Sequence, residues 1–431
     1  LKTLIATLSL AVSAPALAAL SPAEQKMATT VDAEYERSVS LLEKLVNQNS
    51  GSLNIEGVTK VGEMMRAELA PLGFEVKWVP MAEAKRAGHI VATHKGKSGG
   101  KRLLLIGHLD TVFEKDSPFQ TFVRKGERAE GPGTGDDKGG MVVMVAALRA
   151  MQAAGTLKDA NIEIVLTGDE EDSGDPIEIS RRDLIAAGKR ADAALDFEGL
   201  VVIDGHDWGS IARRSSTSWT LKVTAKSGHS SGIFTPAAGE GAIYAASRIL
   251  AAFRDELREP NLTYNVGLIA GGTQAELDAG QIRATAAGKS NIIPATTLAR
   301  GDMRTLSDEQ TARVQAKMKA IVAREFPGAN AEISFDPGYP AMAPTDGNRA
   351  LLKRLNAVNA DLGLKPMPEL DPLKRGAGDI AFVAKDVDGL VGLGPDSEGD
   401  HAPGETVNLD SIRRQAKRAA ILMTRLSREN R

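Results

Sequence analysis

The sequence predicts an α/β protein, in which a main unit with a mostly parallel central sheet flanked by helices is interrupted by a smaller α+β unit. Three observations carry this. Short apolar runs alternate with helical periodicity through the first half of the chain and again near its end. A middle stretch instead alternates apolar and polar residues, as half-exposed strands do. The 431 residues also exceed what a single core usually serves, since domains run roughly 100–200 residues.

Taken in order, residues 1–18 read LKTLIATLSLAVSAPALA. Lys2 is followed by an apolar stretch from Leu4 to Val12, and Ala16-Leu17-Ala18 supplies a small-x-small cleavage pattern. The segment is expected to be a cleavable export signal, too short to span a membrane, and predicts a periplasmic or secreted protein. The first part of the main unit is expected over 19–210. Helical patterns there cover Val31–Val46, Val58–Leu72, Met141–Ala153 and Ser180–Ala187, and buried strands are expected at Arg102–Ile106, Asn161–Thr167 and Ala193–Phe197. The inserted unit is placed at 211–336. Strands are read at Trp219–Ala225, Leu262–Leu268, Ile282–Ala286, Thr297–Met303 and Ala331–Phe335. The helices Glu240–Leu257 and Ser307–Phe326 lie between them, the second with Ser307 as its N-cap. The main unit resumes over 337–431, with helices at Asn348–Leu362 and Leu409–Leu426 and a strand at Leu390–Leu393.

Composition narrows the function classes. There are 53 basic and 56 acidic side chains, a net charge of −3, without a long basic run, and aromatic residues make up only 4%. Both facts argue against nucleic-acid binding. Cysteine is absent, so any metal must be held by His, Asp or Glu.

Those residue types collect at the ends of the buried strands. His108 and Asp110 in LLLIGHLD lie two apart and point the same way in extended chain. GPGTGDDKGG at 131–140 opens a helix with the adjacent acids Asp136 and Asp137. It is not a phosphate loop, because no Gly precedes Lys138 and no Ser or Thr follows it. Thr167–Glu171 runs into Asp172 as consecutive acids that repel unless a cation compensates. Asp196-Phe197-Glu198 ends another strand, and Asp400-His401 sits in a loop punctuated by glycine and proline. Each motif alone also reads as a helix cap, a satisfied histidine or a solvated loop. Together they place metal-ligand types at four strand ends, where open α/β sheets bind ligands. The constellation predicts a two-metal hydrolytic site with His108, Glu171, Glu198 and His401 as terminal ligands. Asp137 would bridge the ions, and Glu170 would serve as general base. A rival motif, Gly228-His229-Ser230-Ser231-Gly232, matches a nucleophile elbow with Ser230 as nucleophile, but Pro236 and nearby glycines delay the helix such an elbow needs. His89, His94 and His206 lie outside any motif and are read as core or surface histidines.

The order of GHLDTV, GPGTGDDKGG, GDEE, DFE and a late histidine resembles the co-catalytic zinc exopeptidases, among them glutamate carboxypeptidases of the carboxypeptidase G type, aminoacylases and succinyl-diaminopimelate desuccinylases. The resemblance runs from about residue 30 to the C-terminus. It implies a catalytic α/β domain, an inserted lid that dimerises, and two Zn2+ per subunit, with Co2+ or Mn2+ as alternatives. By the same resemblance Asp110 orients His108, and His229 reaches the partner subunit's active site to support the oxyanion. Asn291 and Arg304 would hold the substrate's terminal carboxylate, and Gly376 would lie in a loop near the substrate backbone. One departure concerns Tyr339, which stands where the carboxypeptidase G type carries an arginine.

The expected activity is hydrolysis of the amide bond before a C-terminal amino acid. The alternatives are an N-acyl-amino-acid deacylase or dipeptidase on the same site, a serine esterase using Ser230, and a non-catalytic periplasmic binding protein.

Overall fold

The computed structural model describes residues 20–97 and 99–431, so the expected export signal lies outside the described residues. The main sheet has six strands in the order Glu75–Pro80, Gly88–His94, Asn161–Thr167, Arg102–His108, Ala193–Asp196 and Gly389–Leu390. The last four pair in parallel, while the first two join antiparallel. Parallel pairing puts the ends of Arg102–His108, Asn161–Thr167 and Ala193–Asp196 along one edge, and this edge carries the site.

Helices cover both faces. Lys138–Ala153 is buried almost throughout, under Pro22–Ala33, Tyr35–Val46 and Leu409–Leu426, and its apolar residues join one large core. The opposite face of the sheet packs a smaller cluster built from Leu104, Ile106, Val165, Leu184 and Ile380. Helix starts follow their caps. Ser21 and Glu24 form a reciprocal capping box, and Asn54, Ser307 and Thr345 each accept an N–H from the first turn that follows.

A second sheet, Thr263–Tyr264, Thr296–Arg304, Thr217–Ala225 and Ala329–Phe335, has Leu268–Gly272 paired to Thr296–Arg304. Helices Gly241–Glu256 and Asp308–Val322 close over it around its own core. Trp219 is fully buried there and stands edge-on to Phe253 with ring centroids 5.8 Å apart. Two antiparallel bridges, Arg213 with Met342 and Ser216 with Tyr339, tie the outgoing chain to the returning one beside the first sheet.

Several elements differ from expectation, among them the strand expected at Leu390–Leu393, which is Gly389–Leu390, and the helix expected at Ser180–Ala187, which is Arg182–Gly188. Val31–Val46 is not one helix, because the chain breaks at Glu34, whose carboxylate accepts both Nε and Nη2 of Arg149. Leu262–Leu268 is interrupted, with strands only at Thr263–Tyr264 and from Leu268 onward. The antiparallel pair Glu75–Pro80 and Gly88–His94 was not anticipated, since its first strand alternates only between exposed and half-buried positions.

Candidate active site

Asp110, fully buried after the Arg102–His108 strand, organises the sheet edge. Its Oδ1 accepts the Glu170 N–H at 3.0 Å, and its Oδ2 accepts the Glu171 N–H at 3.1 Å and the Ser52 hydroxyl at 2.6 Å. The imidazole Nδ1 of His108 lies 3.1 Å from the Asp110 carbonyl and 3.4 Å from its carboxylate. One carboxylate therefore aligns a histidine from one strand with two glutamates from the next.

The structure corrects the aspartate. Asp136, not Asp137, stands between the two histidines, with Oδ1 2.9 Å from His108 Nε2 and Oδ2 3.1 Å from His401 Nε2. Glu171 Oε2 lies 3.2 Å from the same His401 nitrogen. Asp137 turns the other way, beneath the strand end, where it is fully buried and accepts the His108 backbone N–H at 3.1 Å. Glycines make that room: a Cβ on Gly107 would come within 2.6 Å of Asp137 Oδ2, and one on Gly140 would collide with Oδ1.

Ligand atoms of His108, Asp136 and Glu171 lie within 4.8 Å of one another. The donor set of imidazoles and carboxylates, free of thiolate, fits a divalent cation of the zinc type. Each Asp136 oxygen faces a different imidazole, which fits a carboxylate shared by two ions. The electrostatics agree. Burial pushes Glu171 up to about 7, and burial reinforced by the Glu198, Asp379 and Glu171 charges holds Glu170 well above the usual carboxylate range. Hydrogen bonds to Asp136 and Glu171 lift His401 to about 11. Burial opposes charge on His108, yet Asp110 and Asp136 raise it well above its ordinary value. The cluster attracts positive charge.

Glu198 is placed differently from the other predicted ligands. It pairs with Arg213, and Arg375 Nη2 lies 3.3 Å from its Oε2. Arg213 Nε also donates to the Gly376 carbonyl at 2.7 Å. A cleft of about 450 Å³ contains Asp136, Glu170, Glu171, Glu198 and His401 together with Arg213, Arg304, Lys374, Arg375, Gly376 and Tyr339. His229 and Asn291 do not line it. His229 is exposed, with Nδ1 2.8 Å from the Ser231 hydroxyl, and the Asn291 carbonyl accepts the Ser230 N–H. Ser230 opens a single 3-10 turn, and the next helix starts at Gly241, so no nucleophile elbow forms.

Sequence reasoning missed several supporting residues. Glu405 sends its carboxylate into the Gly133–Asp136 turn, accepting N–H groups from Gly133 at 3.0 Å, Gly135 at 2.7 Å and Asp136 at 3.2 Å. It lies four residues past His401, so the loop that carries His401 is docked on the Gly133–Asp136 turn; Glu405 ends the same glycine- and proline-punctuated stretch, which was the available signal. Arg213, Arg375 and Arg181 gave none, because their partners are remote in sequence. His89 is a core histidine, accepting the Gly168 N–H and lying 2.8 Å from the Ser180 carbonyl.

A sequence profile of peptidase family M20/M25/M40 matches residues 104–425. The chain is 29% identical to carboxypeptidase G2 from Pseudomonas sp. strain RS-16, over 90% of this chain and 89% of that protein. It is 27% identical to a succinyl-diaminopimelate desuccinylase from Novosphingobium aromaticivorans, over 82% and 89% respectively. Among solved structures it is similar to the Bacillus subtilis YXEP protein, described as a dinuclear metal binding peptidase, with a TM-score of 0.64, 17% identity and coverage of 92% of this chain and 99% of that one. With three quarters of its length in the profile, the chain belongs to peptidase family M20/M25/M40 and is a metal-dependent hydrolase of that family.

Proposed function

We propose that this chain is an exported metallocarboxypeptidase that hydrolyses the amide bond before a C-terminal amino acid. One observation carries the reading: a single cleft holds the Asp136-centred cluster and Glu170 together with Arg304, Lys374 and Arg375. The cations suit a substrate carboxylate, since a guanidinium fork matches a carboxylate bidentately. The scissile amide would then lie beside the cluster. The carboxypeptidase G2 relative supports the same chemistry.

His108, Asp136, Glu171, Glu198 and His401 would hold two Zn2+, with Asp136 shared. Glu198 must exchange its Arg213 contact to take part. Bound divalent ions supply Lewis-acid polarisation of the scissile carbonyl and acidify the attacking water. Glu170 takes the water's proton and returns it to the leaving nitrogen, a task for which a carboxylate with a raised pKa is suited. Asp110 fixes the Glu170 backbone and the His108 ring. His229, remote from its own cleft, would serve the cleft of a second subunit in a homodimer formed through the inserted unit. The 1–18 segment supports export to the periplasm or beyond.

An N-acyl-amino-acid deacylase would use the same groups, and the desuccinylase relative favours keeping it as the second reading. The test is amino-acid release from N-acyl amino acids and dipeptides, with chelator and then with zinc restored. Chelator-sensitive release is expected, and Glu170→Gln should lower turnover by roughly 10²–10⁴-fold while leaving bound zinc unchanged. Chelator-resistant release would refute the metal reading. Strong preference for acyl groups over peptides would favour the deacylase.

A further inference from the structure

The peptide unit joining Glu170 to Glu171 is held at both of its polar atoms. Its N–H, that of Glu171, donates to Asp110 Oδ2 at 3.1 Å. Its carbonyl, that of Glu170, accepts the Tyr339 hydroxyl at 2.8 Å. The same hydroxyl receives Arg181 Nη2 at 2.5 Å. A guanidinium has no acceptor, so the tyrosine oxygen must accept from Arg181, and its single hydrogen is left for the Glu170 carbonyl.

Arg181 cannot move to release that bond. It is fully buried, with Nε on Asp379 Oδ1 at 2.7 Å and Nη1 on Asp169 Oδ1 at 2.6 Å. Thr167 holds the other Asp379 oxygen at 2.5 Å. The Tyr339 ring itself is packed edge-on to Phe382, with centroids 4.9 Å apart. Tyr339 stands on the segment that returns from the second sheet, bridged there to Ser216.

We propose that Tyr339 is a positioning residue for Glu170: its hydroxyl, oriented by Arg181, fixes the 170–171 peptide and thereby the aim of the Glu170 carboxylate relative to Glu171. This rests on the hydrolytic role of Glu170 proposed above. Loss of the hydroxyl frees one end of the peptide while the ring keeps its packing. A misplacement of about 1 Å in a reacting group can cost on the order of 10²-fold.

The test is Tyr339→Phe in the zinc-loaded enzyme. Expected is a fall in kcat of roughly 10–100-fold, with KM within about twofold and zinc content unchanged. In a Glu170→Gln background the same substitution should cost nothing further, because the two act as one unit. Phe382→Leu removes the ring that packs on Tyr339 and lies under the Arg181 guanidinium but leaves the Tyr339 hydroxyl in place, so it should cost less than Tyr339→Phe. Unchanged kcat in Tyr339→Phe, an equal loss in both backgrounds, or an equal loss in Phe382→Leu would overturn the proposal. A crystal structure of Tyr339→Phe supplies a readout without substrate: a rotated or disordered 170–171 peptide supports the inference, and an unmoved one overturns it. An unaltered enzyme inactive on every amide would instead count against the hydrolytic reading.

Discussion

Between Asp136 and Asp137 the chain passes from the cleft to the core, and the two carboxylates take opposite electrostatic fates. Burial raises Asp137 well above the carboxylate range, and its Oδ1 finds no hydrogen-bond partner among the described residues. Asp136 meets the same burial, but His108 and His401 hold it well below that range. Asp136→Asn should therefore weaken zinc binding by at least about tenfold, whereas Asp137→Asn, which keeps an acceptor for the His108 N–H, should retain the metal. Competition titration with a chromophoric chelator measures both, and the reverse ranking would restore Asp137 to the shared position. The sequence could not make this choice. Two identical adjacent residues carry the same chemistry, and only the direction in which the helix start presents them decides. His108 and Glu170-Glu171 stood out because each closely follows an apolar run, and His401 because it sits in a loop punctuated by glycine and proline. Tyr339 was visible only as a departure from a pattern; its role depends on Arg181, which reaches it across the fold.

Elements were most readable where periodicity and burial coincide. Asn161–Thr167 and Leu409–Leu426 were located to the residue, the second with one face of apolar side chains on the core. Glu75–Pro80 escaped because its alternation is short and neither face of the strand is fully buried. Between helices, one acid does most of the linking in the inserted unit. Glu259 follows helix Gly241–Glu256 and receives Arg313, Gln310 and Lys317 of helix Asp308–Val322 at 2.7, 2.8 and 3.4 Å. Its hydrogen bond to Arg313, with smaller help from Gln310 and Lys317, lowers it from 4.5 to about 2 against the opposing effect of burial. The folded value lies below the unfolded one, so the stabilisation is complete above pH 4.5 and is lost as pH falls toward 2. Solvent screening limits it to about 1 kcal/mol. Glu259→Gln should lower stability at neutral pH by that order, and the gap should close on acidification. A gap that persists at pH 2 would assign the loss to packing instead.

At the scale of the whole molecule, the core around Trp219 shares no residue with the clusters on the two faces of the main sheet. The candidate metal ligands all belong to the main unit. Metal binding stabilises what it binds, by about 2.7 kcal/mol at a hundredfold excess over Kd. Calorimetry is expected to show a transition that falls by several degrees with chelator, and a second, from residues 217–335, that does not move. A single transition shifting as one would mean the two cores unfold together. The α/β class was legible from the alternation of apolar runs and helical patterns. The pairing of the inserted unit's two connections was not, because Ser216 and Tyr339 lie far apart in sequence and nothing local marks their bridge. That pairing makes the inserted unit modular. Its entry and exit strands run side by side, so the loop that would replace it need only turn a corner. Such a graft, joined beyond Thr217 and Gly338, would keep Arg213 and Tyr339 with the sheet edge they serve. Exchange of the whole inserted unit at this seam would leave the carboxylate and histidine cluster of the main sheet edge in place.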